Sequence, residues 1–450
     1  MIQLDDNGMQ HYLTEGFVTF PTDFPDVFHK SIYDRAEAIF ESEGNPSNDI
    51  YPGIPELGEV LSHPRVVGAL TAILGPGYMM HPHRHCHLTP PGKDPQRNHK
   101  DSYEDDANVR HHRSRWAMAF YYPQDVTQEI GPTAVTPGSQ YYTRAESLDS
   151  IEEKMLCGPA GTVTIVHYDI WHRATENLTD RNRFMMKFLF CRMREPRAPA
   201  WDTLGQNVTF ARHPTLCPHL WRWNSGQVSP RVDRDVSTLA DQYVEGTEEE
   251  RLDASYGLGE AGEVDILIER LSEEARTELD HNLERRHTNA TQFDAAYGLG
   301  VAGAAAIPSM IDALSESDWW MRAAAADILG DIGEPAAEAV PALATALEDG
   351  SEWVRRNATE ALGTLRAKPA VVALGAALSD DSARVRHNAA LSLLKIGASG
   401  EDIRPNLTTA LEDENRYVRA LSELALSNHR SMSSPLRYGQ AITRSIRRCR

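Results

Sequence analysis

Two imidazoles and one carboxylate stand in a short His99-Lys100-Asp101 run and at His172, 71 residues beyond Asp101. Ligands of this type can occupy one face of an octahedral Fe(II) and leave the opposite face open for a co-substrate and O2. Arg183 follows His172 by eleven residues. A 2-oxo diacid that chelates iron through its keto and C1 carboxylate oxygens carries a second carboxylate several ångströms away. A guanidinium binds that carboxylate bidentately and with permanent charge. Arg181 is the alternative two residues earlier, and a surface arginine at a strand start is the ordinary reading of either. An HxD pair occurs by chance in many chains, so the chemistry depends on whether elements exist to bring these residues together.

The first 235 residues mix helices with strands. Residues 26–42 read as an amphipathic helix. Residues 63–74 read as another, with Ser62 as N-cap, Pro64 in the first turn and Gly75 at the stop. After Tyr78 short β-prone runs recur at Tyr78–Leu88, Trp116–Tyr122, Thr162–His167 and Arg183–Cys191. Turn-rich stretches such as TPPGKDPQRN and EIGPTAVTPGSQ separate them, the pattern of an antiparallel sandwich or barrel. His99 and Asp101 alternate at strand spacing, so both can project to one side. His172 follows the strand-like GTVTIVHYDIW, and Arg183 opens the apolar run FMMKFLF.

His81, His83, His85 and His87 alternate, which on a regular strand puts all four on one face. They could line a pocket, form an exposed face or hold a second metal. Lys100, His167, Trp116 and Tyr121 lie near the ligands in sequence and could touch co-substrate or substrate. Ordinary packing explains each of them equally well.

Residues 196–236 carry Trp201, Trp221 and Trp223 among five prolines, too aromatic for a flexible linker. They are expected to pack on the first domain or at a junction. From about 237 an Ala/Leu/Glu-rich repeat begins. MRAAAADILGDIG at Met321, VRRNATEALGTL at Val354, VRHNAALSLLKIG at Val385 and VRALSELAL at Val418 are spaced by 33, 31 and 33 residues. Degenerate copies stand at 251 and 291. Each unit is two short helices that bury their apolar face only by stacking, and the pattern resembles HEAT repeats of the short bacterial type. The expected division is 1–195, a catalytic domain; 196–236, the Pro/Trp-rich segment; 237–430, a solenoid; and 431–450, a basic tail.

The chain of 450 residues has a net charge of −20, and residues 237–430 hold 35 acidic against 17 basic residues. That field repels phosphates, so no nucleic-acid partner is expected for the second half. The tail, with Arg437, Arg444, Arg447, Arg448 and Arg450, reads as a frayed terminus that could also meet a polyanion. No apolar run is long enough to span a membrane, and the acidic opening MIQLDDNGMQ is not a secretory signal. Five cysteines without CxxC spacing favour reduced thiols and a cytoplasmic location.

Residues 1–235 resemble the phytanoyl-CoA dioxygenase family of Fe(II)/2-oxoglutarate-dependent oxygenases. The pieces that carry the likeness are YLTEGFVTF, the H-K-D, EIGPTAVTPGSQ and HYDIWHRATENLTDRNRF, in that order. The resemblance implies a multidomain chain: an N-terminal double-stranded β-helix (jelly-roll) with flanking helices, followed by the all-α solenoid. It implies His99, Asp101 and His172 as iron ligands and catalytic residues, Arg183 on the C5 carboxylate of 2-oxoglutarate, and O2 as oxidant. The family often has a hydroxyl two residues after the distal histidine. Ala174 stands there, so Thr175 or Thr133 would supply the second anchor. Gln140 replaces a non-ligand histidine of the family pattern. An intact Asp101 favours hydroxylation over halogenation, because halogenating relatives have a small residue there. A small-molecule substrate is expected. The alternatives are a peptide hydroxylase whose solenoid docks its substrate, and a non-catalytic binding scaffold. The solenoid could bind a protein partner, or be an architectural extension that covers the first domain or mediates self-association.

Overall fold

In the computed structural model, residues 1–101, 111–284, 293–398 and 400–427 are described. The basic tail expected at 431–450 lies outside them. Eight strands form two antiparallel sheets. They are β1 (Phe17–Pro21), β2 (Met79–Thr89), β3 (Trp116–Tyr122), β4 (Thr133–Val135), β5 (Lys154–Met155), β6 (Thr162–His167), β7 (His172–Ala174) and β8 (Arg183–Cys191). The larger sheet runs β1-β6-β3-β8-β2 and the smaller β5-β4-β7.

Alternation assigns the faces of the larger sheet. In β3, Met118, Phe120 and Tyr122 join one apolar cluster with Met185 and Leu189 of β8. Ala117, Ala119 and Tyr121 join Phe184, Met186 and Phe188 in the other. Helices cover this second face, so β8 is buried on both sides and reads as a continuous apolar run. The covering helices include Asp26–Glu43 and Pro64–Leu74. The second ends at Gly75, as its sequence suggests. Its N-cap, however, is His63, whose side chain accepts from the Arg65 amide, because Ser62 belongs to the preceding helix Leu57–Ser62.

In the segment 196–236, Trp201 donates to Asp6 across 2.8 Å. Trp223 lies beneath the guanidinium groups of Arg113, Arg115 and Arg192. Beyond it, helices stack in pairs. The second helix of each pair packs on its successor, from Glu248–Ala261 through Asp294–Ala302, Trp319–Ile332, Glu352–Thr364 and Ala383–Ile396 to Arg416–Leu426. Glycines permit the close stacking: a Cβ on Gly330 would stand 2.9 Å from the Ala361 Cα.

This inner row of helices is folded against the β-sheet half. Glu248 accepts from the Thr143 amide and hydroxyl at 2.7 and 2.9 Å. Tyr256 bonds His112 at 3.0 Å, and the Tyr297 ring stacks on it at 3.6 Å. Asp331 pairs with Arg115 at 2.7 Å. His387 meets His81 at 3.2 Å, and Tyr417 bonds His83 at 2.7 Å. Among the described residues no helix is long and apolar enough to cross a membrane.

Candidate active site

His99 and His172 are brought together by a two-residue antiparallel bridge: each backbone amide donates to the other's carbonyl, at 3.0 and 2.9 Å. His172 begins β7, whereas His99 lies in no named strand, so this one bridge performs the alignment expected of a strand. The rings lie 4.7 Å apart. Each Nδ1 faces a backbone carbonyl, Arg97 at 2.9 Å and Ile170 at 3.0 Å. A carbonyl only accepts, so each Nδ1 carries a proton and Nε2 is the nitrogen left to face a ligand.

Asp101 completes the group. One potential ligand atom from each residue lies within 4.8 Å of the others, the sole such trio found among the described residues. His172 Nε2 is 3.5 Å from an Asp101 oxygen. Burial lowers the pKa of His172 against the pull of Asp101, keeping the imidazole neutral. Burial raises that of Asp101, but the Lys187 ammonium at 2.8 Å and His172 outweigh it and hold the carboxyl below the usual carboxylate range. His172 and Asp101 therefore have the protonation that a divalent cation requires.

Arg183 opens β8 and is 1% exposed. Its Nε donates to the Gly131 carbonyl at 2.8 Å, while both terminal nitrogens meet no hydrogen-bond partner among the described residues. Two parallel donors left open in a buried guanidinium match a carboxylate. Burial lowers its pKa, opposed by Tyr122 and Cys86. The Thr175 hydroxyl already donates to Pro132 at 2.8 Å, which leaves it no proton for a co-substrate. Thr133 is buried on β4 beside the Tyr122 phenol.

Sequence reasoning missed Lys187 and Tyr122. Lys187 stands four residues after Arg183 on the same strand face, and its charge inside FMMKFLF is the signal that could have found it. Tyr122 is on the Phe120 face of β3, and its hydroxyl is buried without a hydrogen-bond partner among the described residues. Tyr121 points the other way and bonds His29 at 2.8 Å. Lys100 reaches the Gln140 carbonyl at 3.4 Å. His167 accepts from the Asp169 amide, and Trp116 meets the His81 ring.

The four alternating histidines divide between two surroundings. The β2 register shifts between Met80 and Arg84, around Pro82, which has no amide to donate. His81 and His83 meet the solenoid, whereas His85 and His87 lie opposite Lys187 and Met185 in β8. Burial, with Lys187 nearby, pushes His85 down to about 4.

Residues 25–185 match the family model of phytanoyl-CoA dioxygenase. Residues 283–359 and 340–427 match HEAT repeats. No curated protein sequence matches the chain. Among solved structures, the non-heme alpha-ketoglutarate-dependent carbocyclase SnoK from nogalamycin biosynthesis shares 18% identity, over 42% of this chain and 85% of that one, with a TM-score of 0.35. HygX from Streptomyces hygroscopicus, with nickel and 2-oxoglutarate bound, shares 12% over 42% and 87%, with a TM-score of 0.34.

Proposed function

We propose, from the phytanoyl-CoA dioxygenase domain that residues 25–185 form, that this protein is an Fe(II)- and 2-oxoglutarate-dependent dioxygenase. It hydroxylates a small organic molecule and releases succinate and CO2. In this reading the two antiparallel sheets are the halves of a double-stranded β-helix, and the protein works in the cytoplasm. The observation that carries the proposal is the pairing of two sites. The Nδ1-anchored histidines stand beside Asp101, and the half-used Arg183 guanidinium lies on the same sheet as Lys187.

Bound there, Fe(II) supplies O2 activation coupled to oxidative decarboxylation of 2-oxoglutarate. The chain's own residues do the rest. His99, His172 and Asp101 offer the donor atoms, with the imidazoles fixed by the Arg97 and Ile170 carbonyls. Arg183 takes the C5 carboxylate through its two open nitrogens and so orients the co-substrate. Tyr122 or Thr133 is the second donor to that carboxylate. Phe120 packs on His172, with ring centroids 5.8 Å apart, and keeps that side dry. Asp101 fills the ligand position itself, which favours hydroxylation over halogenation.

Anaerobic titration with Fe(II) and 2-oxoglutarate tests this. The expected result is a weak visible metal-to-ligand charge-transfer band that His172→Ala removes. A well-folded protein that binds iron and gives no band contradicts the proposal and favours a non-catalytic scaffold.

A further inference from the structure

We propose a second binding site, beyond the oxygenase reading, in the cleft between the sheet half and the solenoid. Its ligand is a small molecule carrying two or more phosphate or carboxylate groups. The cleft encloses 1140 Å³, the scale of a small-molecule site. The chain leaving β8, Arg192–Ala200, forms one wall. The C-terminal ends of the inner helices, at Thr364, Lys395 and Leu424, form the other.

Six cationic side chains line the cleft against two acids, in a chain whose net charge is −20. Half of the cations have local work. Arg192 donates to the Ile73 carbonyl at 2.7 Å and to Asn224 at 3.2 Å. Arg366 donates to the carbonyls of Met193, Lys395 and Ile396, capping a helix end. Arg197 pairs with Glu334 across the cleft at 2.7 Å. The other acid, Glu195, is held by Arg115 at 3.0 Å.

The side chains of Arg194, Lys368 and Lys395 remain, with no hydrogen bond or ion pair to a described residue. Lys395 is 6% exposed. Its neighbour Glu360 is taken by Arg356 at 2.7 Å. Helix-end capping accounts for Arg366 but not for Lys395, whose largely buried side chain belongs to the cleft lining, or for two further cations around the same space. Cations gathered around one cleft repel one another, and a ligand with clustered oxyanions bridges all three.

The test is calorimetric titration of the full-length protein, run in parallel on Arg183→Met so that binding at Arg183 is told apart from binding in the cleft. One arm uses pyrophosphate and the other citrate; the tighter arm identifies phosphate or carboxylate as the preferred group. Binding is expected to weaken with salt. Lys395→Met should weaken it by roughly tenfold or more, with the anaerobic Fe(II)/2-oxoglutarate band unchanged. Should Lys395→Met fail to fold, Arg194→Glu with Lys368→Glu, both at exposed positions, is decisive and is expected to show the same loss. Absence of heat in both arms at millimolar ligand overturns the proposal, as does binding that survives these substitutions. An acidic peptide or an oligonucleotide that binds more tightly than either small anion overturns the small-molecule assignment.

Discussion

Arg183 is the residue on which co-substrate selectivity turns. Replacing it with Met removes a buried two-point contact to a carboxylate. The expected loss of 2-oxoglutarate affinity is about 3 kcal/mol, roughly 100-fold, read from titration of the visible band. Arg183→Lys keeps the charge without the fork and should fall between the two. Tyr122→Phe should weaken 2-oxoglutarate by roughly tenfold, whereas Thr175→Val should do so far less, because the Thr175 proton is already given to Pro132. A second residue-scale prediction concerns Asp327, whose carboxyl burial pushes up to about 6, with His111, Glu360, Arg356 and Asp331 around it. The folded state binds this proton more tightly than the unfolded state, so the stabilisation is present below 3.8 and is lost as pH rises through about 6. Asp327→Asn is therefore expected to be more stable than the parent by about 1–3 kcal/mol at alkaline pH. The advantage should vanish in acid. Equal melting temperatures across the pH range would refute the shift.

At the scale of elements, legibility followed burial and length. β3, β6 and β8 are runs of six to nine residues whose apolar pattern states their bounds, and the structure places them at those bounds. β4, β5 and β7 have three, two and three residues, too few to show a period, and they were not legible. The H-K-D offered its ligands in sequence, yet their approach to His172 rests on one backbone bridge that no local pattern announces. The histidine stripe was legible as an alternation, but the irregularity at Pro82 that it crosses was not. The repeat was legible because copies can be compared with one another, glycines included. Those glycines carry the prediction at this scale. Gly330→Val sets side-chain atoms against the Ala361 backbone and should lower stability by about 1–3 kcal/mol in thermal melts. Gly350→Ala, where a Cβ meets nothing within 4 Å, should be close to neutral.

For the whole molecule, the repeat pattern left open whether the solenoid meets a partner or covers the first domain, and its inner helices lie on the chain's own sheet half. Their buried contacts include His81 with His387, His83 with Tyr417, His112 with Tyr256, and Arg115 with Asp331. A detachable docking arm would leave co-substrate turnover intact when removed. Deletion of 237–450 is instead expected to abolish even substrate-free decarboxylation of 2-oxoglutarate. It strips partners from buried imidazoles and guanidiniums and uncovers the strand that carries Lys187's neighbours. A soluble truncated protein with full decarboxylation would refute that and return the solenoid to a docking role. Folding order follows from the same contacts. The ribosome releases the sheet half first, and the last of the helices that complete its surface, Arg416–Leu426, ends nearly 200 residues further along the chain. At about 5–20 residues per second their synthesis takes on the order of ten to forty seconds. During that interval the nascent N-terminal half waits with its histidine-lined flank uncovered, until Tyr417 arrives to meet His83.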